Sequence, residues 1–187
     1  MRAADVELQH DTRATVIYSV ALGLSGLFSY WFVAHVMNPI HPLSRTGDTI
    51  GALWAAISTI LVYRHSYDES ASAALSRMAG TAVSFGLCLV YLLLFPFHLL
   101  AIAMLIAIGA FVLALAGRPQ DTMPASLTTM VVLVISSINP HGAWQQPILR
   151  LLDTAVGVAI GLAAVWAGLR LMRRVGAEPA RPAAGSQ

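Results

Sequence analysis

The chain has 187 residues, of which 57% are hydrophobic and only 11% charged, against about 25% charged in an ordinary soluble domain. With a mean hydropathy of +0.71 and the shortage of charge running along nearly the whole length, it reads as an all-α, polytopic membrane protein and not as a soluble body on one anchor. A net charge of +2 gives no reason to expect a nucleic-acid partner, and the single cysteine, Cys88, leaves no internal disulfide and no cysteine-cluster metal site.

In chain order, "MRAADVELQHDTR" (1–13) is a polar segment before the first apolar run. That run, at 14–37, is too long for a signal-peptide core and has no clear cleavage site, so it reads as a retained first span. Five more apolar segments follow at approximately 48–64, 78–95, 97–117, 122–138 and 148–172, giving six predicted transmembrane helices in one bundle over 14–172. The second is short: 15 uncharged residues between Asp48 and Arg64 span about 22 Å at ~1.5 Å per residue. A hydrocarbon core is about 30 Å thick. This segment and the fifth, which ends in "SSINPHG", are therefore expected in the bundle interior.

The breaks are polar or proline-rich. "NPIHPLSRTG" (38–47) is a loop, "RHSYDESASAALSR" (64–77) is polar and in part helical, and "FPF" (95–97) is a tight turn that makes the third and fourth segments a hairpin. "GRPQDTMP" (117–124) is a turn, and "NPHGAWQQP" (139–147) is a loop with Trp144 at an interface. Residues 173–187 form a cytoplasmic tail, disordered from about 177.

All eleven basic residues are arginine. With six spans and the N-terminus inside, nine of them lie on the inner side and only Arg45 and Arg150 on the outer. That bias predicts a multi-pass protein of a bacterial-type inner membrane with both termini cytoplasmic. Four Asp-Thr pairs, at 11–12, 48–49, 121–122 and 153–154, sit near the starts of apolar segments. Helix capping accounts for Asp11 and Asp121; it suits Asp153 less well, because four or five helix-forming residues precede that position.

"RMAGTAV" (77–83) and "RLLDTAV" (150–156) share four residues at an offset of 73. They head the third and sixth segments and enter from opposite faces, the pattern of an inverted 3+3 repeat. The run "LSRMAGTAVSFG", a helical hairpin, the span "SLTTMVVLV" and "ILRLLDTAVGVAIGLAAV" together resemble the fusaric acid resistance, or aromatic acid exporter, superfamily (FUSC-like), over roughly residues 45–170. The chain is more distantly similar to the plant aluminium-activated malate channels. The resemblance implies a six-helix bundle that moves organic anions, often aromatic carboxylates, outward. It carries over Arg77, Gly80 and Thr81 at one helix start and Arg150, Asp153, Thr154 and Gly157 at the other. Many relatives have a cytoplasmic domain or a second bundle that this chain does not show, so a homo-oligomer, dimer or trimer, is expected.

The chemistry of these residues agrees with an anion site. An arginine offers a carboxylate two parallel hydrogen bonds, and Asp153 at i+3 from Arg150 is placed to hold the guanidinium or to carry a proton. Substrate-binding residues are therefore expected to be Arg77, Thr81, Arg150, Asp153 and Thr154, with Gly80, Gly157 and Gly161 serving helix packing. The plainer alternative is a surface pair of Arg150 and Asp153 at headgroup level, with Arg77 serving topology alone. No nucleotide loop, nucleophile elbow or zinc-helix motif is present, so no enzyme activity, cofactor or metal is expected. The sequence-level reading is an ion-gradient-driven exporter of a small organic anion, embedded in the lipid bilayer. A passive anion channel subunit and a non-transporting scaffold are the alternatives.

Overall fold

The structure, a computed structural model, describes residues 3–37, 45–138 and 143–175. Its regular elements are all helical: α1 (Ala3–Phe32, prolonged by a π-helical turn, Val33–Met37), α2 (Arg45–Val62), α3 (Tyr67–Leu94), α4 (Leu99–Leu115), α5 (Thr122–Ile138, entered through a 3-10 turn, Pro119–Asp121) and α6 (Gln145–Val175). The expected loops over 38–44 and 139–142, and the tail beyond 175, lie outside the described residues. Among the described residues, four helices are long and apolar enough to cross a membrane; the apolar parts of α2 (Thr49–Val62) and α4 (Leu99–Leu115) are shorter.

Local chemistry sets the ends. At the start of α3 the Ser66 hydroxyl accepts the Glu69 N–H at 3.2 Å, and Asp68 and Glu69 occupy the first turn, where carboxylates favour the positive end of the helix dipole. The polar stretch that reads as a break is thus mostly the first turns of α3, which begins at Tyr67 and not near 78. At the other hairpin end, Gly117 takes φ 70°. Its N–H bonds the Ala114 carbonyl while the Arg118 N–H reaches back to Leu113, a Schellman closure that needs a residue without Cβ. α1 begins at Ala3, so Asp11 stands inside the helix and not at the helix start that the sequence suggests.

The bundle is apolar outside and polar inside. Leu99, Leu100, Met104, Phe111 and Leu115 of α4, and Leu24, Leu27 and Phe28 of α1, are exposed. Ser58, Thr59, Thr81, Ser84, Thr129 and Thr154 are buried. This distribution would be costly in water and suits lipid.

Small residues let the helices close. A Cβ on Gly157 would collide with the Ala55 carbonyl oxygen and lie 2.9 Å from Ser58 Cβ; one on Gly161 would lie 3.1 Å from the Thr59 oxygen. The Gly157-x-x-x-Gly161 stripe therefore seats α2 on α6 within one chain. Contacts rise together along the two helices, from Gly51 against Asp153 to Tyr63 against Gly168, so α2 and α6 run parallel. α3 and α5 are parallel as well: Gly80 abuts Asp121 and Ala125, and Ser84 meets Thr129 further along. Beyond that, Cys88 packs with Val132, Leu133 and Leu105 in an apolar cluster, as its mid-segment place suggests.

Candidate functional site

The polar interior is built on a stripe of α2. Gly51, Trp54, Ala55 and Ser58 follow the i, i+3, i+4, i+7 spacing of one helix face, and that face meets α6 and α3. Trp54 Nε1 donates to Thr154 Oγ1 at 3.1 Å. The Arg77 guanidinium carbon lies over the same indole, 4.8 Å from the ring centre, within the range of a cation–π contact. Arg77 Nη2 donates to Ser58 Oγ at 3.4 Å, a long bond, and Ser58 in turn donates to the Trp54 carbonyl at 2.9 Å. One indole thus ties α2, α3 and α6 together.

Arg77 stands about 15 Å along α3 from Tyr67 at ~1.5 Å per residue and is 3% exposed. Its Nε and Nη1 have no hydrogen-bond partner among the described residues, and no carboxylate of those residues pairs with it. A buried cation with no counter-ion among the described residues is held at high cost.

Arg150 is different. It is 1% exposed and its Nη1 lies 3.1 Å from Asp153 Oδ2. Asp153 lies inside α6, two turns past its start, so it does not cap the helix. The carboxylate rests against Gly51, where a Cβ would come within 3.0 Å of Oδ2. The contact is an ion pair by distance only: Arg150 Nε and Nη1, Asp153 Oδ2 and the Oε1 of Gln146, one turn earlier, are buried and make no hydrogen bond among the described residues.

A second ion pair, half-buried on its arginine side, closes the α4–α5 turn. Arg118 Nε pairs with Asp121, whose side chain is wholly buried. Neither Asp121 carboxylate oxygen makes a hydrogen bond among the described residues, so the capping expected there gives way to an ion pair. Its backbone sits against Gly80, whose Cβ would be 2.9 Å from the Asp121 oxygen and 2.8 Å from the Ala125 nitrogen.

Of the residues that the sequence points to, Arg77 and Thr154 meet through Trp54, Arg150 pairs with Asp153, and Gly80, Gly157 and Gly161 lie at helix contacts. Thr81 is fully buried, but its hydroxyl meets no partner among the described residues. Thr128, Ser136 and Ser137 bond back to their own helix, whereas Thr129 crosses to Ser84 at 2.9 Å. Trp54, Ser58 and Thr59 are not among the residues expected from sequence. A signal for them exists: small and polar residues at helical spacing inside the shortest apolar segment. Thr59 spans the same seam, donating to the Gly157 carbonyl at 2.8 Å.

Among the described residues no group of His, Cys, Asp and Glu forms a metal-binding set. The model of the fusaric acid resistance protein-like family matches residues 28–164, a range that takes in α2 to α5 and every buried charge described above. No curated protein and no solved structure is matched by the chain.

Proposed function

The chain belongs to the fusaric acid resistance protein-like family, a family of membrane transporters, and on that premise we propose that it exports small organic anions, aromatic carboxylates above all, driven by an ion gradient. The single observation carrying this reading is Arg77, a guanidinium buried to 3% exposure with two unpartnered nitrogens and no carboxylate neighbour among the described residues. A carboxylate matches those donors in charge and in hydrogen-bond geometry. Arg150 with Asp153, and Thr154, form the next step of the same path, and Thr81 lies one turn beyond Arg77.

In this reading six helices cross an inner membrane over residues 14–172, with 1–13 and 173–187 in the cytoplasm. The parallel pairs α2/α6 and α3/α5 support it, since alternate spans must run the same way. So does a second internal match: "RTGDTIGA" (45–52) and "RPQDTMPA" (118–125) share Arg, Asp, Thr and Ala at the same offset of 73 that relates Arg77 to Arg150. The exchange of α1, α2 and α3 for α4, α5 and α6 carries the α2/α6 contact onto α5/α3 and the α1/α2 contact onto α4/α5. This exchange of contacts supports an inverted 3+3 repeat. A dimer or trimer belongs to the same proposal.

Two experiments test it. With Cys88 replaced by Ala, a cysteine placed at His98 should label only from outside and one at Gln120 only from inside. Labelling of both from one side would mean that α4 does not cross. In proteoliposomes, R77Q should lower benzoate flux about 10- to 100-fold, the value of a hydrogen bond to a charged group. Saturable flux that follows a proton gradient is expected; unitary currents without such dependence would favour a passive channel.

A further inference from the structure

We propose that Trp54 is the latch of the pathway, an indole that separates the two arginines and is released when an anion reaches Arg77. The inference rests on the reading of Arg77 as an anion site. Trp54 is 7% exposed and its neighbours are of two kinds. Toward α3 its ring carries the Arg77 guanidinium at 4.8 Å. Toward α6 its N–H is fixed on Thr154 at 3.1 Å, and Thr154 adjoins Asp153, the partner of Arg150. The indole thus stands between Arg77 and the turn of α6 that carries Arg150 and Thr154.

The restraints are few and of a kind that an anion undoes. An anion engaging the free Nε and Nη1 of Arg77 quenches the charge that holds the ring face and turns the guanidinium away from it. The indole is then held by one neutral hydrogen bond. Its rotation breaks the bond to the Thr154 hydroxyl, one helical turn from Arg150, and opens the way past the ring. The latch exists in one half only. The position equivalent to Trp54 at the 73-residue offset is Leu127, which is exposed, and the Thr81 hydroxyl, equivalent to that of Thr154, has no indole to receive. A bundle that repeats its arginines but not its latch closes the passage at one level.

The test uses the full chain in proteoliposomes with Trp31, Trp144 and Trp166 replaced by Phe, so that Trp54 is the only indole. Benzoate is the probe, and its binding is measured separately with the radiolabelled anion. Saturating benzoate should shift Trp54 emission to the red and raise its quenching by acrylamide, and R77Q should abolish both responses. In the chain with all its tryptophans, T154V and W54F each remove the hydrogen bond while keeping shape or ring, and each should raise benzoate leak without a gradient about two- to tenfold, the worth of one neutral hydrogen bond. The double variant should leak no more than either single one. Benzoate binding with a silent Trp54, or additive leaks, would overturn the latch and leave the anion site standing. No benzoate binding by either readout would overturn the anion site and the latch together.

Discussion

The two arginines at the 73-residue offset head matching sequences, "RMAGTAV" and "RLLDTAV", and live in opposite electrostatic conditions. Arg150 has a carboxylate at i+3, 3.1 Å away. Arg77 has Gly80 at that position, so it must use an indole face and a long bond to Ser58 instead. The difference follows from packing. Gly80 faces the backbone of Asp121 and Ala125 at distances where no Cβ fits, whereas Asp153 faces Gly51, which yields the room a carboxylate needs. One of the two helices uses its small residue for helix contact and leaves its cation bare. The other keeps the acid and neutralises its cation. A transporter that loads a buried anion at one arginine and passes it toward the other gains from the asymmetry, because two bare cations would hold the anion too tightly to release it.

The strongest way to break this contrast is to give Arg150 the condition of Arg77. Asp153→Asn removes the carboxylate with almost no change in shape and leaves a buried guanidinium unpaired, which costs about 3–5 kcal/mol. Thermal denaturation in detergent should show that loss without anion and a larger recovery on adding benzoate than the parent protein gives. Equal recovery in the two proteins would mean that Arg150 does not reach the anion path.

Helix contact comes next. Gly157→Ala places a methyl against the Ala55 carbonyl and Ser58 and should cost about 1–3 kcal/mol by forcing α2 off α6. Gly161→Ala, with its nearest atom at 3.1 Å, should cost less in the same assay. Because the seam at Gly157 carries Trp54 and Thr154, Gly157→Ala should also raise benzoate leak. The smallest effect belongs to the α3–α5 seam. Thr129→Val removes the donor to Ser84 and should cost about 1 kcal/mol, with benzoate flux unchanged because that pair lies outside the arginine path. A flux change as large as that of Gly157→Ala would extend the path along α5.

Much of this architecture is legible in the amino-acid sequence. The apolar runs locate the helices because lipid contact demands them, and "FPF" and Gly117 mark the turns of the α3–α4–α5 run. The start of α3 is hidden, since Asp68, Glu69 and Arg77 look like a polar break when only apolar length is read. Arg77, Arg150, Asp153 and Thr154 stand out as charges and motif residues where lipid should reject charge. What the sequence does not reveal is who neutralises whom. The i+3 spacing makes Asp153 an obvious partner for Arg150, but nothing local says that Arg77 crosses to Trp54 and Ser58 on another helix. Trp54 is inconspicuous because a tryptophan in an apolar run reads as filler, and only the close approach of α2 to α6 at Gly157 turns it into the centre of the site. Asp121 reads as a cap for the same reason: its pairing with Arg118 is chosen by the turn at Gly117, and turn geometry is not written in composition.

Arg77 as the principal anion-binding cation is tested most directly by equilibrium binding of radiolabelled benzoate to the purified protein, compared among the parent, R77Q and R150Q at one pH and salt concentration. A loss of affinity of about 10- to 100-fold in R77Q, with a smaller loss in R150Q, is the expected result. Undiminished binding in a folded R77Q protein would contradict it.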